Sequence, residues 1–295
     1  MNTIGFIGLG IMGKPMTLNL IKAGYSLYVA DLNERAVNEV CKKGAISSSY
    51  AEMTEKCEVI ILMLPHGKIV MDVLFGPEGL SSHLKAGSLV IDMSSISPVE
   101  TKLFAEKLAL QNVSLVDAPV SGGEPKAIDG SMAIMAGGTD QDFSRALPYF
   151  EVMGGNVVHM GDVGTGSATK LVNQIMVSIH LGALSEAAIF ASKSGIDLNK
   201  MYEAISNGLA GSAVMDAKIP MIVNRDFEPG GKMATNFKDL RNIKDAANAL
   251  NVPLPLTSMV EDIFRGQIAN GNGNKDHSYI LNYYEQTANH TIRHD

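Results

Sequence analysis

Three clusters in this 295-residue sequence combine residue types that could bind and transform a small charged molecule. The first, Gly8-Leu9-Gly10-Ile11-Met12-Gly13, follows an apolar run and opens a stretch that reads as helix. In that setting the GxGxxG spacing suits a dinucleotide. Gly8 permits a tight turn, Gly10 lets a pyrophosphate approach the backbone, and Gly13 lets the helix pack closely on the strand. The phosphates would sit at the helix N-terminus, where N–H groups lack partners and the dipole is positive. Asp31 closes the next apolar run, roughly where an acidic residue accepts hydrogen bonds from the adenosine ribose. Its charge would repel a 2′-phosphate, so NAD(H) is expected and NADP(H) disfavoured, although Arg35 stands four residues on. A glycine turn that serves packing alone is the competing reading.

The second cluster is Ser121-Gly122-Gly123, just after Asp117-Ala118-Pro119. A hydroxyl beside N–H groups that no side chain screens suits a carboxylate. The same residues could form an ordinary turn, and Lys126 nearby is expected to be solvated. The third cluster is Lys170 with Asn173 and Gln174, three and four residues further on and therefore on one helix face. A lysine near a helix start sits against the dipole. Its ammonium could hydrogen-bond a carbonyl oxygen and supply a proton as negative charge grows there. A surface lysine and a purely structural amide bond are the alternatives. No HExxH pair and no Cys/His cluster is visible, so no metal is expected.

The elements that must position these residues change character along the chain. Short apolar runs at Thr3–Ile7, Ser26–Ala30, Val59–Met63, Leu89–Asp92, Ser114–Val116, Ala133–Ala136 and Val157–His159 alternate with candidate helices at Met12–Lys22, Glu34–Lys42, Pro98–Leu108 and Gln141–Met153. That alternation implies βαβ units and a mostly parallel sheet covered on both faces. From Thr165 the chain reads as helix almost throughout, beginning with one long helix to about Ser192. The expected organisation is a Rossmann-type dinucleotide-binding domain over 1–162, a long interdomain helix over 163–193, and an all-helical domain over 194–295 for closing the substrate site and for oligomerisation. Leu171–Phe190 is long enough to span a bilayer, but it carries Asn173, Gln174, His180 and Glu186, which are costly in hydrocarbon. A buried helix is expected, and no membrane.

Composition bounds the remainder. Hydrophobic residues make up 46% and charged residues 19%, the mark of a folded chain. A net charge of −7 without a basic stripe argues against nucleic acid as a partner. Two cysteines and no visible targeting leader suggest a reducing, cytoplasmic setting.

Taken together, the motifs resemble those of the β-hydroxyacid dehydrogenase family, across essentially the whole chain. Gly5-Phe6-Ile7-Gly8-Leu9-Gly10-Ile11-Met12-Gly13 looks like its dinucleotide fingerprint, and Asp117-Ala118-Pro119-Val120-Ser121-Gly122-Gly123 like its substrate signature. Gly164-Thr165-Gly166 with Lys170 and Asn173-Gln174 is similar to the segment bearing the family's catalytic lysine, and Lys238-Asp239-Leu240 to its late lysine motif. The resemblance implies Lys170 as acid and base. It implies Leu64, Pro65, Ser95 and Lys238 around the nicotinamide half of the cofactor, and a homodimer or homotetramer. The substrate it implies is a small anionic hydroxyacid or semialdehyde. Reduction of 2-hydroxy-3-oxopropanoate to glycerate with NADH is the leading expectation. Oxidation of 3-hydroxyisobutyrate or a related short acid is the alternative, and an inactive dinucleotide-binding module the alternative of another class. One departure stands out: relatives often carry two asparagines where this chain has Asn173 and Gln174, leaving open which amide meets the substrate.

Overall fold

The structure, a computed structural model, describes residues 3–292. Its first part runs β1 (Thr3–Ile7), α1 (Gly13–Lys22), β2 (Ser26–Ala30), α2 (Glu34–Cys41), β3 (Ile46–Ser47), α3 (Tyr50–Lys56), β4 (Val59–Leu62) and α4 (Gly67–Phe75). It continues through β5 (Leu89–Asp92), α5 (Pro98–Ala109), β6 (Ser114–Asp117), β7 (Val120–Ser121), α6 (Gly123–Asp129), β8 (Met132–Gly137), α7 (Asp140–Met153) and β9 (Gly154–Gly161). The strands form one sheet in the order β3-β2-β1-β4-β5-β6-β8-β7, with β9 paired to β8. Strands β1 to β6 run parallel, whereas β8 runs against both β6 and β7.

The uniformly apolar strands are explained by burial on both faces. Alternate residues enter separate cores, as the strand period of two requires. Ile4, Phe6, Val29, Ile61, Ile91 and Val116 pack with Met16 and Leu20 of α1 and Phe150 and Met153 of α7. Ile7, Ile60, Leu62, Val90 and Leu115 pack on the other face with Met53, Leu74, Phe104 and Leu108. Helix starts are marked by side-chain caps at Asn33, Ser49 and Thr139. Ser97 and Glu100 form a reciprocal capping box ahead of α5, with Pro98 at its first position.

The second part is helical: α8 (Thr165–Lys193), α9 (Leu198–Ile205), α10 (Ala213–Asn224), α11 (Met233–Leu250), α12 (Pro255–Ala269) and α13 (Leu281–Thr287). The chain divides into two compact units, Met1–Lys170 and Leu171–Asp295. Helix α8 is the central helix of the second. Leu171 and Leu181 meet Leu240, Ile243, Ile263 and Phe264, while Leu184, Ala188 and Ile189 meet Met215, Ile219, Ile222 and Leu281. Among the described residues α8 alone is long and apolar enough to cross a membrane, but Leu171, Leu181, Leu184, Ala188 and Ile189 feed these two protein cores and Ser178 and Ser185 are buried and hydrogen-bonded along it.

Helices α3, α4 and α6 were not legible as periodic segments, being 7, 9 and 7 residues long. A hydrophobic period needs a longer window to stand out.

The glycine turn is locked by sterics. A Cβ on Gly13 would lie 1.9 Å from the Gly8 carbonyl oxygen, whereas one on Gly10 would meet nothing within 4 Å. Gly13→Ala is therefore expected to destabilise the protein by about 2–4 kcal/mol in urea unfolding. Gly10→Ala should unfold close to wild type. Equal midpoints for all three proteins would contradict this packing role.

Candidate active site

The candidate residues of the first unit stand at the carboxyl ends of its parallel strands. β1 is flanked by β2 and β4, so the chain winds away from it in both directions, the position where such sheets bind ligands. Gly8 leaves β1 with φ +99°, and a Cβ there would lie 2.2 Å from the Met63 carbonyl oxygen. Its N–H donates to the Ala30 carbonyl at 3.0 Å. Leu9 N–H donates to one oxygen of Asp31, and Asn33 N–H to the other at 2.7 Å. Asp31 thus braces the glycine turn. Gly10 is exposed with open space before it, Met12 gives α1 no side-chain cap, and no acidic residue occupies the first turn of α1. This cradle fits a dinucleotide: the pyrophosphate would meet bare backbone at Gly10 and the positive end of α1, and a ribose would meet Asp31.

Beyond β4 and β5 the rim is tied by a chain of polar bonds. Leu64 N–H donates to Ser94 Oγ at 2.9 Å, Ser94 N–H donates to Asp92 Oδ1 at 2.9 Å, and the Ser94 hydroxyl also bonds the Asp92 carboxyl. Pro65 is exposed and Ser95 half-buried beside these anchors. Asp92 is buried. Burial pushes its carboxyl up to about 7, the carboxylates of Asp117 and Glu100 add to the shift, and the Ser94 hydrogen bonds oppose it.

Asp117 lies opposite Asp92 on the neighbouring strand and is also buried, which holds its carboxyl above the usual range. It accepts hydrogen bonds from Gly164 N–H at 2.7 Å and Ser167 N–H at 2.6 Å. These are donors that a helix start leaves without partners, so Asp117 caps α8 from a distant strand. Ser167 Oγ also bonds Thr101 Oγ1 of α5 at 3.0 Å, and Gly166 packs so tightly that a Cβ would lie 2.3 Å from the Met135 carbonyl oxygen. Lys170, half-buried, follows three residues after Ser167 on this clamped helix start.

Ser121 ends β7, half-buried, with Gly122 at φ +137° and Gly123 at φ +70°. The segment is not a plain loop, since Gly123 begins α6. Lys126 is exposed, but its stem covers Gly122, where a Cβ would lie 2.6 Å from Lys126 Cδ.

In the second unit, Asn173, Gln174 and Lys238 are linked. Asn173 Nδ2 donates to Gln174 Oε1 at 2.8 Å, and Gln174 Nε2 donates to Asp239 Oδ2 at 2.6 Å. Lys238 Nζ pairs with Asp239 Oδ1 at 3.1 Å. Ser178 Oγ donates to the Gln174 carbonyl at 2.7 Å and to Asn236 Oδ1 at 3.0 Å, fastening α8 to α11 again.

Sequence reasoning assigned no role to Asp92, Ser94 or Ser167, placed Asp117 in a motif without a role of its own, and gave Asp239 only as a structural residue or an ion-pair partner of Lys238. A signal was present for two of them. Leu-Val-Ile-Asp and Ser-Leu-Val-Asp each end a buried strand in a carboxylate, which is uncommon unless the group has partners.

A doubly wound sheet with a dinucleotide cradle at its switch point, followed by a helical unit, defines an NAD(H)-dependent oxidoreductase. Comparison with known proteins agrees. Residues 3–161 match the NAD binding domain of 6-phosphogluconate dehydrogenase, and residues 164–284 the NAD-binding domain of NADP-dependent 3-hydroxyisobutyrate dehydrogenase. The chain is 40% identical to 2-hydroxy-3-oxopropionate reductase of Escherichia coli, covering 98% of this chain and 99% of that protein. It is 39% identical to 2-(hydroxymethyl)glutarate dehydrogenase of Eubacterium barkeri, covering 96% and 95%. The solved 3-hydroxyisobutyrate dehydrogenase of Mycobacterium tuberculosis with L-serine superposes with a TM-score of 0.89 at 29% identity, covering 96% of this chain and 99% of that one. The chain belongs to the β-hydroxyacid dehydrogenase family. At that level its activity is NAD(H)-dependent interconversion of a small hydroxyacid and its carbonyl form.

The buried carboxyl of Asp92 makes stability pH-dependent. Its folded value, about 7, lies above the ordinary 3.8, so the folded state holds a proton that the unfolded state releases between those values. Its contribution is therefore present below about pH 4 and is lost as pH rises towards 7. Urea unfolding should show wild type losing about 2 kcal/mol more than Asp92→Asn between pH 5 and pH 8. Parallel profiles for the two proteins would contradict a neutral, buried Asp92.

Proposed function

We propose that this protein reduces 2-hydroxy-3-oxopropanoate to glycerate with NADH, reversibly, with Lys170 as the acid and base. The observation that carries the reading is the seat of Lys170, on a helix start clamped by Asp117, Ser167 and Thr101 and followed on the same face by two amides. A donor held on a rigid element can be aimed at one oxygen. The named substrate is supported by the 40% identity to a 2-hydroxy-3-oxopropionate reductase over nearly the whole of both chains. The likeness to 3-hydroxyisobutyrate dehydrogenase supports that acid as the second reading.

In this reading Gly8–Gly13 and Asp31 hold the pyrophosphate and adenosine ribose, and Leu64, Pro65, Ser95 and Lys238 serve the nicotinamide half. The bound cofactor supplies the hydride. Lys170 Nζ donates a hydrogen bond to the carbonyl oxygen, stabilises the charge that grows there, and passes a proton to it. In the reverse direction the same nitrogen accepts the proton. Ser121 Oγ and the N–H groups of Gly122 and Gly123 receive the substrate carboxylate. Preference for NAD(H) over NADP(H) is attributed to Asp31. Arg35, the residue that could have answered a 2′-phosphate, is instead bonded to Glu39 at 3.1 Å. Assembly as a homodimer or homotetramer through the second unit is proposed from the exposed Val172 and Met176 on α8 and Leu256 and Met259 on α12. A cytoplasmic setting is proposed with it, in keeping with two unpaired cysteines.

Steady-state kinetics with 2-hydroxy-3-oxopropanoate and NADH, beside 3-hydroxyisobutyrate and NAD, test the assignment. The semialdehyde should give the higher kcat/KM, and Lys170→Ala should lower kcat by about 10²–10⁴-fold. A higher value for 3-hydroxyisobutyrate would shift the substrate, and an active Lys170→Ala would remove the proposed acid. Asp31→Ala should narrow the preference for NADH over NADPH by about tenfold or more.

A further inference from the structure

We infer that Glu39 is a determinant of cofactor choice: it draws Lys14 and Arg35 away from the adenosine ribose and so denies a 2′-phosphate the cations it would need. This role rests on the proposed seat of the dinucleotide at Gly8–Gly13 and Asp31, and not on the identity of the substrate.

A ribose at Asp31 would lie at the carboxyl ends of β1 and β2, which are neighbours in the sheet. The helices that follow these strands begin at that edge, and each carries a cation at its second position, Lys14 on α1 and Arg35 on α2. Two long, flexible cations of this kind are what would recognise a phosphate on the ribose. Main-chain donors at the start of α2 do not replace them, since Asn33 Oδ1 already accepts from the N–H groups of Arg35 and Ala36.

Both cations are committed elsewhere. Glu39 stands one turn after Arg35 on α2, and its Oε1 accepts from Arg35 Nε at 3.1 Å. Its Oε2 accepts from Lys14 Nζ, which ties α2 to α1. These two hydrogen bonds, that of Lys14 first, hold the Glu39 carboxyl below its ordinary range. With the bridge in place Asp31, Glu34 and Glu39 outnumber Lys14 and Arg35, and this rim disfavours an added dianion. Without Glu39 the charges balance, and both cations can turn to a ligand. The Arg35 side chain is 88% exposed, so nothing but this bond restrains its head. Exposed ion pairs add little to folding, which places the effect of Glu39 in ligand choice rather than in stability. NADH carries a hydroxyl where NADPH carries the phosphate. It asks for Asp31 and leaves the bridge untouched.

Titration of the intact protein with NADH and with NADPH, followed by the fluorescence of the reduced nicotinamide at low and at physiological salt, tests the inference. Wild type should bind NADH the more tightly. Glu39→Ala should tighten NADPH by about tenfold at low salt while NADH changes by less than about twofold. The gain should shrink as salt is raised, because it comes from exposed charges. Glu39→Gln keeps the length and loses the charge. It should move the ratio in the same direction even if Glu39→Ala loosens α2. Arg35→Ala added to Glu39→Ala should remove most of the gain. A ratio of NADH to NADPH affinity unmoved in both Glu39 variants would overturn the inference and leave the seat of the dinucleotide standing. So would equal losses of both nucleotides, the mark of a bridge that only holds the helices together. A wild type that binds NADPH as tightly as NADH overturns the preference assigned to Asp31 and this inference with it. One that binds neither overturns the proposed function itself.

Discussion

The contact between the Asp117 carboxylate and the start of α8 is the constraint on which the rest of the site depends. Helix α8 begins at Thr165 in the first unit and becomes the central helix of the second after Lys170. Its first N–H groups need acceptors, and no serine, threonine or aspartate at the cap position supplies them: Gly164 occupies it. Asp117 reaches them from the end of a strand 47 residues earlier in the case of Gly164 and 50 residues earlier in that of Ser167. A cap drawn from so far along the chain fastens the first turn of the helix to the end of β6, and Lys170 follows directly on that turn.

The same logic runs along the sheet's carboxyl edge. Groups at the ends of β2 and β5 fix the turns there and on the neighbouring strands: Asp31 holds Leu9, Asp92 holds Ser94, and Ser94 holds Leu64. Two of the acids involved at this edge, Asp92 and Asp117, are buried side by side. That is costly for charged groups, and it is tolerable because backbone N–H groups and a hydroxyl satisfy the oxygens while burial favours the protonated form. Carboxylates that would serve poorly as catalysts here serve well as fasteners.

What the sequence disclosed follows from how local each feature is. The glycine motif, Asp31, the long helix and the amide pair are set by spacing within a few residues or one βα turn, and strand-helix alternation reports the parallel sheet directly. The reversal of β8 against β6 is not local. Neither is the cap on α8, whose donor and acceptor belong to different elements, nor the relay from Gln174 to Asp239, 65 residues apart. The strings Leu-Val-Ile-Asp and Ser-Leu-Val-Asp signalled buried acids but not their partners. Helix α6 is short and starts at a glycine, so it leaves no periodic trace, and of the two readings of Ser121-Gly122-Gly123 the ordinary turn gives way to a strand end passing into a helix.

The chain of bonds from Lys238 through Asp239 and Gln174 to Asn173 also bears on how such a sequence can drift. Each member sets the orientation of the next, so these four positions do not vary as independent letters. Shortening Gln174 to asparagine withdraws the bridge to Asp239 and releases Asn173 to turn over. A substitution at one position changes what the others can bond, so the effects of exchanges in this corner of the protein are expected not to add.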